Sequence, residues 1–280
     1  MHTEHSDEVA TARRILVWKD FVPEFLRFPL MLLIIVIYML SGGVYMSAVT
    51  EISGSLSWIK EDILMAGYAS MTGLTIAFPL LFRILFRFPT RSILLVSAVV
   101  FIVCDYVCMV CQYLPLVVLM SFISGFFRIL STFVCWSNLQ LRITPNRDFA
   151  VFFPFLFTVI LGSVQLTDIV TGYSISAFDW RAMHRLTIGA FIVVFALIYF
   201  CMRRGYRQAP YIPFKGIDYL GGILWSLWLL CIIFICVYGE HYDWLDGEPI
   251  RTAIVFAVIL LAMCLERAAS IRHPYHFPDT

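Results

Sequence analysis

The chain has 280 residues, of which 61% are hydrophobic and only 14% are charged, with a formal net charge of +1. A soluble domain carries about 25% charged residues, so this composition and the mean hydropathy of +0.86 exclude a soluble globular protein and predict one embedded in a lipid bilayer. The 20 Lys and Arg residues are spread along the chain instead of forming a basic stripe, so no nucleic-acid partner is expected.

Residues 1–27 precede the first apolar run and are expected to form a cytoplasmic leader. The second half of this leader mixes aromatic and basic side chains, and two interpretations stay open: an amphipathic stretch on the membrane surface, or a solvated leader with aromatic anchors. Eight apolar runs follow. They predict an all-α polytopic membrane protein with eight transmembrane helices at 29–49, 63–82, 92–113, 115–136, 149–173, 186–202, 217–238 and 250–265.

The last run has 16 residues, about 24 Å of helix, so it spans a bilayer only if the helix continues through Ala269. The breaks between runs predict a six-span N-terminal bundle at 28–204, a cytoplasmic linker at 205–216, two additional spans at 217–269 and a cytoplasmic tail at 270–280. With the N-terminus inside, fifteen Lys and Arg residues fall in inside segments and four in outside segments. Cytoplasmic loops hold the excess of basic residues, so both termini are predicted to be cytoplasmic.

Three charged residues lie well inside the predicted spans, away from the span ends: Asp105, Arg128 and Asp168. A charge at the centre of a membrane helix costs roughly 2.5 to 3.5 kcal/mol, so these positions are candidates for a proton or ion relay, or for contact with a charged substrate. In the alternative interpretation Arg128 and one acid neutralise each other between helices. Asp168 is favoured over Asp105 as a functional residue because Gln165 and two threonines add polar atoms to the same span.

Enzymatic chemistry is not expected from this sequence. No nucleophile, base and metal constellation stands out, and no glycine-rich loop is present that would cradle a nucleotide. Cys104, Cys108 and Cys111 share one helical face, where packing at a helix interface is preferred over a metal or redox site. The prediction is therefore a protein that is not an enzyme, with no metal site and no cofactor.

Five segments carry motif-like residues in a fixed order along the chain. They are 48–68, the basic loop 83–91 with Arg83, Arg87 and Arg91, 121–125 with Gly125, 167–181 with Gly172, Trp180 and Arg181, and 217–244 with Asp218, Gly221 and Trp244. In residue type, order and spacing they resemble the major facilitator superfamily, specifically its 14-span drug:proton antiporter branch. The last two segments are the most specific, and the resemblance covers only the N-terminal portion of such a transporter.

The departures from the family pattern concern charge. Ser121 stands where the fourth-span motif has Arg, although Arg128 follows seven residues later on the same helical face. Asp168 occupies the proline position of the antiporter motif. The usual acid of the first span is absent around Ser41 and Gly42, and so is the acid of the basic loop. The family's standard proton-coupling site is therefore not carried over to this chain.

The resemblance implies a transporter in a bacterial inner membrane that exports a small amphipathic compound in exchange for protons, as in drug resistance. Alternating access moves two bundles against each other, so a truncated or split transporter that needs a second six-span half is expected. The alternative is a non-transporting membrane interaction subunit built from the same bundle. The expected substrate cavity lies among spans one, two, four and five and is lined by Tyr38, Tyr45, Tyr68, Phe126, Asn138 and Gln165.

Overall fold

The computed structural model describes residues 17–42, 44–56, 58–144, 148–205 and 218–270. Within these ranges the protein is almost entirely helical, which confirms the all-α class. Most of the predicted leader, linker and tail lies outside the described residues. The helices are α1 (Glu24–Leu40), α2 (Val44–Ser47), α3 (Val49–Leu56), α4 (Lys60–Arg87), α5 (Thr90–Val110), α6 (Leu114–Ile143), α7 (Phe149–Ala177), α8 (Arg181–Cys201), α9 (Tyr219–Tyr238) and α10 (Glu248–Ser270).

Six of these helices, α5 to α10, are long and apolar enough to cross a membrane. Helix α4 becomes a seventh if its two halves, which meet at an angle of 67° between Phe78 and Leu80, count as one span. Pro79 stands at this bend and has no amide hydrogen to donate to the preceding turn. The predicted count of eight is thus not reproduced in the described part of the chain, whereas α10 extends to Ser270 and is long enough to span.

The predicted first span, 29–49, is not one continuous helix. Helix α1 has 17 residues and ends at Leu40, and α2 is a single turn of four residues that is followed at once by α3. Glycine is a poor helix former, and a Cβ added to Gly42 would lie only 1.0 Å from Nη1 of Arg128. The chain is interrupted where an arginine from α6 occupies the space that a side chain would need.

Helices α4 and α6 form the most extensive contact of the bundle. Their backbones approach closely, since a Cβ on Gly125 would lie 1.9 Å from the carbonyl oxygen of Ser70, and one on Gly73 would lie 2.0 Å from that of Phe122. Helix α5 packs against α6 and α8, while α1 lies across α6, α7 and α8. The core between α1, α5 and α8 is aromatic, with the rings of Phe101 and Phe191 stacked at 4.6 Å.

The leader residues that the structure describes are part of the bundle. Trp18 and Met202 form an antiparallel bridge, in which the amide of Lys19 donates to the carbonyl of Cys201 and the amide of Arg203 donates to that of Val17. Val17, Trp18 and Val22 are buried in the core. Neither sequence interpretation of the second half of the leader anticipated this, because the segment is held by backbone pairing with residues distant in sequence.

Helices α9 and α10 form a hairpin that packs on α4. The hydroxyl of Tyr238 donates to the carboxylate of Asp62 in the first turn of α4. At the other end of the hairpin, Asp218 caps α9 by accepting from the amide of Gly221 at 2.9 Å and pairs with Arg267 of α10 at 3.2 Å. These contacts, with the backbone amide of Gly221 first, lower the pKa of Asp218 from its ordinary value.

Candidate functional site

The break in the first predicted span is contacted by ionisable side chains from three other helices. We call residues 41–48 the interrupted segment; residue 43 within it is not described. Gly42 lies against Arg128 of α6, Tyr45 packs on His184 of α8, and Ser47 donates to Asp168 of α7. Because α2 is only four residues long, three different helices meet one short piece of chain.

Arg128 is the deepest of these groups, 14 residues after the start of α6, or about 21 Å along the helix. Its side chain is 7% exposed. In the described part of the chain its only side-chain contact of hydrogen-bonding type is a long one of 3.9 Å, from Nη2 to the sulfur of Met71 in α4. The guanidinium lies just beyond the C-terminal end of α1, where the unpaired carbonyls of a helix favour a positive charge.

The interpretation in which Arg128 pairs with Asp168 or Asp105 is wrong for the part of the chain that the structure describes. Among the described residues, Asp105 lies within hydrogen-bond distance of His184, and the hydrogen-bond partner of Asp168 is Ser47. The cause is depth. Asp105 lies five residues from the end of α5, about 13 Å nearer to that end of the bundle than Arg128, and Asp168 points to the exposed face of α7.

Asp168 is exposed, as are Gln165, Ile169 and Gly172 on the same helix. Much of the surface of α7 is exposed within the described chain: only 11% of its span is buried, and a Cβ on Gly172 would have no neighbour within 4 Å. The described residues near Asp168 supply a hydroxyl but no cation. This carboxylate is therefore accessible from outside the bundle while its one partner belongs to the interrupted segment.

A second group of polar side chains is buried near the loops 111–113 and 178–180, at the predicted outer end. Nδ1 of His184 and Oδ1 of Asp105 are 3.2 Å apart, and both residues are buried. Within the described chain, atoms of four residues here have no hydrogen-bond partner of ordinary geometry: Oη of Tyr45, Oδ2 of Asp105, Oγ of Ser121 and Nε2 of His184. We call Tyr45, Asp105, Cys108, Ser121 and His184 the outer polar cluster.

His184 was missed as a site residue because the sixth span was predicted to begin at residue 186, which left this histidine in a loop. Helix α8 instead begins at Arg181. The available signal was Asp179, a residue type favoured at helix starts. An earlier start places His184, Thr187, Phe191, Val194 and Ile198 on one buried face at helical spacing.

The other residues predicted to line the substrate cavity fall into two groups, one inside the bundle and one exposed. Tyr38 lies fully inside the core, where its hydroxyl donates to the carbonyl of Leu94 at 2.7 Å, so it does not line a cavity. Phe126 packs against the same core. Asn138 donates to the carbonyl of Val134 in its own helix. Tyr68 and Gln165 are exposed, on α4 and α7.

The motif-like residues at the predicted inner end fix helix ends. Arg91 is buried at the start of α5; it donates to the carbonyl of Tyr199 at 2.7 Å and lies over the ring of that residue at 4.9 Å. Arg83 and Arg87 lie in the last two turns of α4 and are partly buried. The basic loop thus holds α5 against the end of α8.

At the predicted outer end, Trp180 is buried and meets the ring of His184 edge-on at 6.0 Å. Arg181 covers the Trp180 ring at 4.8 Å and donates to the carbonyl of Met109 in α5. These two residues close the outer polar cluster. Among the described residues no three His, Cys, Asp or Glu side chains are grouped so that they would hold a metal ion.

Comparison with known proteins adds no identification. No protein-family model matches the chain, and no curated protein has significant similarity to it.

Proposed function

We propose that this protein is one bundle of a facilitator-type membrane transporter, which exports a small amphipathic compound in exchange for protons and requires a second bundle. One observation carries the proposal. Among the described residues, the three charged side chains singled out within the spans all meet the interrupted segment: Arg128 and Asp168 directly, and Asp105 through His184. Broken helices at mid-membrane are typical of substrate and ion sites in transporters.

Arg128 supports a substrate contact. A guanidinium with a purely structural role inside a membrane bundle would be paired with a carboxylate, since a buried unpaired charge costs several kcal/mol. Arg128 has no such partner among the described residues. The side chain that its Nη2 contacts, Met71 of α4, is apolar and exposed, and the amphipathic Tyr68 lies one turn earlier on the same helix. This combination suits an amphipathic compound with an anionic group.

Asp168 supports proton exchange. The carboxylate is exposed on α7 and accepts from Ser47, so its protonation would change a bond to the interrupted segment. A carboxylate that loses its charge on protonation is the usual means by which a transporter links a proton to a conformational change. Gly42 and Ser47 lie five residues apart, so a substrate at Arg128 and a proton on Asp168 would both act on the interrupted segment.

Substrate charge preference is tested by binding. The full chain in nanodiscs of zwitterionic lipid is titrated with anilinonaphthalene sulfonate, an amphipathic anion, and with tetraphenylphosphonium, an amphipathic cation, against empty nanodiscs. We expect saturable binding of the sulfonate that Arg128→Met weakens by about tenfold or more and that Arg128→Lys largely retains. Arg251→Met is the matched control, because Arg251 is exposed on α10. Equal binding of the two probes, or unchanged binding by Arg128→Met, contradicts the assignment.

The need for a second bundle is tested in proteoliposomes with an imposed pH gradient. Alternating access requires two bundles, so monodisperse single chains are expected to move no sulfonate. Robust transport by such single chains would refute this part of the proposal. Binding without transport under every condition, including assembled chains, would instead favour the interaction subunit.

A further inference from the structure

The outer polar cluster contains two titratable side chains in direct contact. Asp105 of α5 and His184 of α8 are both buried, and their nearest atoms, Oδ1 and Nδ1, are 3.2 Å apart. Each residue also has a second polar atom, Oδ2 and Nε2, without a partner in the described chain. Buried polar atoms are normally hydrogen-bonded, so this pair has capacity for one more ligand.

The groups that face this pair from each packed helix are mostly uncharged at neutral pH. Helix α4 contributes the apolar Ile63 and Ala66 to the surrounding cluster, and its charged residues nearby are Lys60, Glu61 and Asp62 in the first turn, of which Asp62 accepts from Tyr238. On α8, the Arg181 guanidinium is directed to the Met109 carbonyl and to Asp179, and Arg185 is exposed. The remaining titratable or hydroxyl groups nearby are Tyr45 from α2, Cys104, Cys108 and Cys111 from α5, and Ser121 from α6.

The hydrogen bond determines where a proton can add. With Nδ1 protonated, the imidazole donates to the ionised Asp105 and leaves Nε2 as an acceptor without a partner. In that state the pair carries one negative charge in an apolar setting, which is unfavourable. One proton from water adds to Nε2, no bond is broken, and the resulting imidazolium and carboxylate have no net charge. Proton uptake therefore takes a single step and needs no other reactant.

Tyr45 connects this site to the interrupted segment. Its ring lies 5.7 Å from the imidazole, centroid to centroid, and Trp180 encloses the imidazole from another side. Tyr45 belongs to α2, two residues before Ser47. A change of charge on His184 therefore acts on α2, the four-residue turn whose Ser47 also donates to Asp168 of α7.

We propose that the Asp105–His184 pair binds one exchangeable proton, and that Tyr45 transmits its occupancy to the interrupted segment. The inference rests on the proposed function for its purpose, since a transporter that exchanges protons needs sites that take them up. It adds a proton site that is separate from Asp168 and close to the predicted outer surface.

The proton site is tested by nitrogen-15 NMR of histidine-labelled full chain in nanodiscs, from about pH 5 to 9. The His184 signal is assigned by its loss in His184→Gln, and His241, exposed in the α9–α10 loop, is the internal control. We expect the His184 signal to change with pH and Asp105→Asn to alter that change, because the carboxylate is the hydrogen-bond partner of the ring, with the His241 signal unaffected. A His184 signal that does not titrate, or that ignores Asp105→Asn, overturns the site.

Transmission is tested with Ser41→Cys, labelled by a maleimide at both ends of the pH range. We expect the labelling rate to depend on pH, and Asp105→Asn to abolish this dependence. Glu240→Cys, exposed beyond α9, serves as the reference for the intrinsic effect of pH on labelling. If either variant unfolds, titration of the wild-type His184 signal still decides the site. A titrating His184 with pH-independent labelling at residue 41 refutes the role of Tyr45. A titrating pair in a chain that never transports refutes the proposed function and leaves the proton site intact.

Discussion

Replacing Arg128 with methionine is expected to stabilise the bundle, although this residue is the main candidate for substrate contact. Arginine at the centre of a membrane helix costs roughly 2.5 to 3.5 kcal/mol. The favourable terms in the structure are small: the end of α1, worth about 0.3 to 1 kcal/mol, and one long contact to Met71. The difference predicts that Arg128→Met raises the free energy of unfolding by about 2 kcal/mol.

Arg91→Met is the matched control for this prediction. Arg91 is equally buried, but it donates to the Tyr199 carbonyl and lies over that ring. Loss of a charged hydrogen bond costs about 1.5 to 3 kcal/mol, so this variant is expected to be destabilised. The assay is equilibrium unfolding by SDS in mixed micelles, followed by circular dichroism and tryptophan fluorescence.

The double variants of Arg128→Met with Asp168→Asn, and with Asp105→Asn, extend the test. Because neither acid contacts Arg128, the effects are expected to add within about 0.5 kcal/mol. Destabilisation by Arg128→Met alone, or strong coupling to either acid, would refute the reasoning, since both results require a carboxylate partner for the guanidinium.

Three further outcomes follow from other parts of the fold. Gly125→Ala should destabilise the α4–α6 contact by about 1 to 3 kcal/mol in the same unfolding assay, whereas Gly172→Ala, with open space around it, should be neutral or stabilising; equal effects would contradict the close crossing. Asp218→Ala should cost about 1 kcal/mol at neutral pH. Because the pKa of Asp218 is lowered in the folded state, its stabilising effect should be present above its ordinary pKa and disappear as the pH falls through the folded value; a difference that persists in acid would argue against the cap. In the predicted orientation, Glu240→Cys should react with an impermeant thiol reagent in intact cells and Arg204→Cys should not; the reverse pattern would invert the topology.

The sequence was sufficient to predict a helical membrane protein and to identify which charged residues lie within its spans. A charge in a long apolar run is visible without any tertiary information, so Asp105, Arg128 and Asp168 stand out. Their partners were not predictable, because partners depend on how each helix is rotated and on where it begins. His184 illustrates the second point: a helix start five residues earlier moves it from a loop to the buried face of α8.

The broken first span shows a different limit of sequence reasoning. Residues 29–49 are uncharged and long enough for a single helix, and hydrophobicity alone gives no reason to divide them. In the fold, the helix is interrupted at Gly42, where the side chain of Arg128 from another helix lies against the backbone. The hydrophobic pattern of a sequence indicates which segments lie in lipid. A break of this kind depends instead on one contact between two spans.

The bridge between Trp18 and Met202 has a consequence for how the protein is made. During synthesis, at about 5 to 20 residues per second, the segment around Trp18 leaves the ribosome roughly 10 to 40 s before Met202 does. For that interval its backbone lacks its strand partner, and its apolar side chains lack the helix ends that cover them. The earliest described segment is thus among the last to reach its final place. Biogenesis of the bundle has to keep this segment from pairing elsewhere until α8 has been inserted.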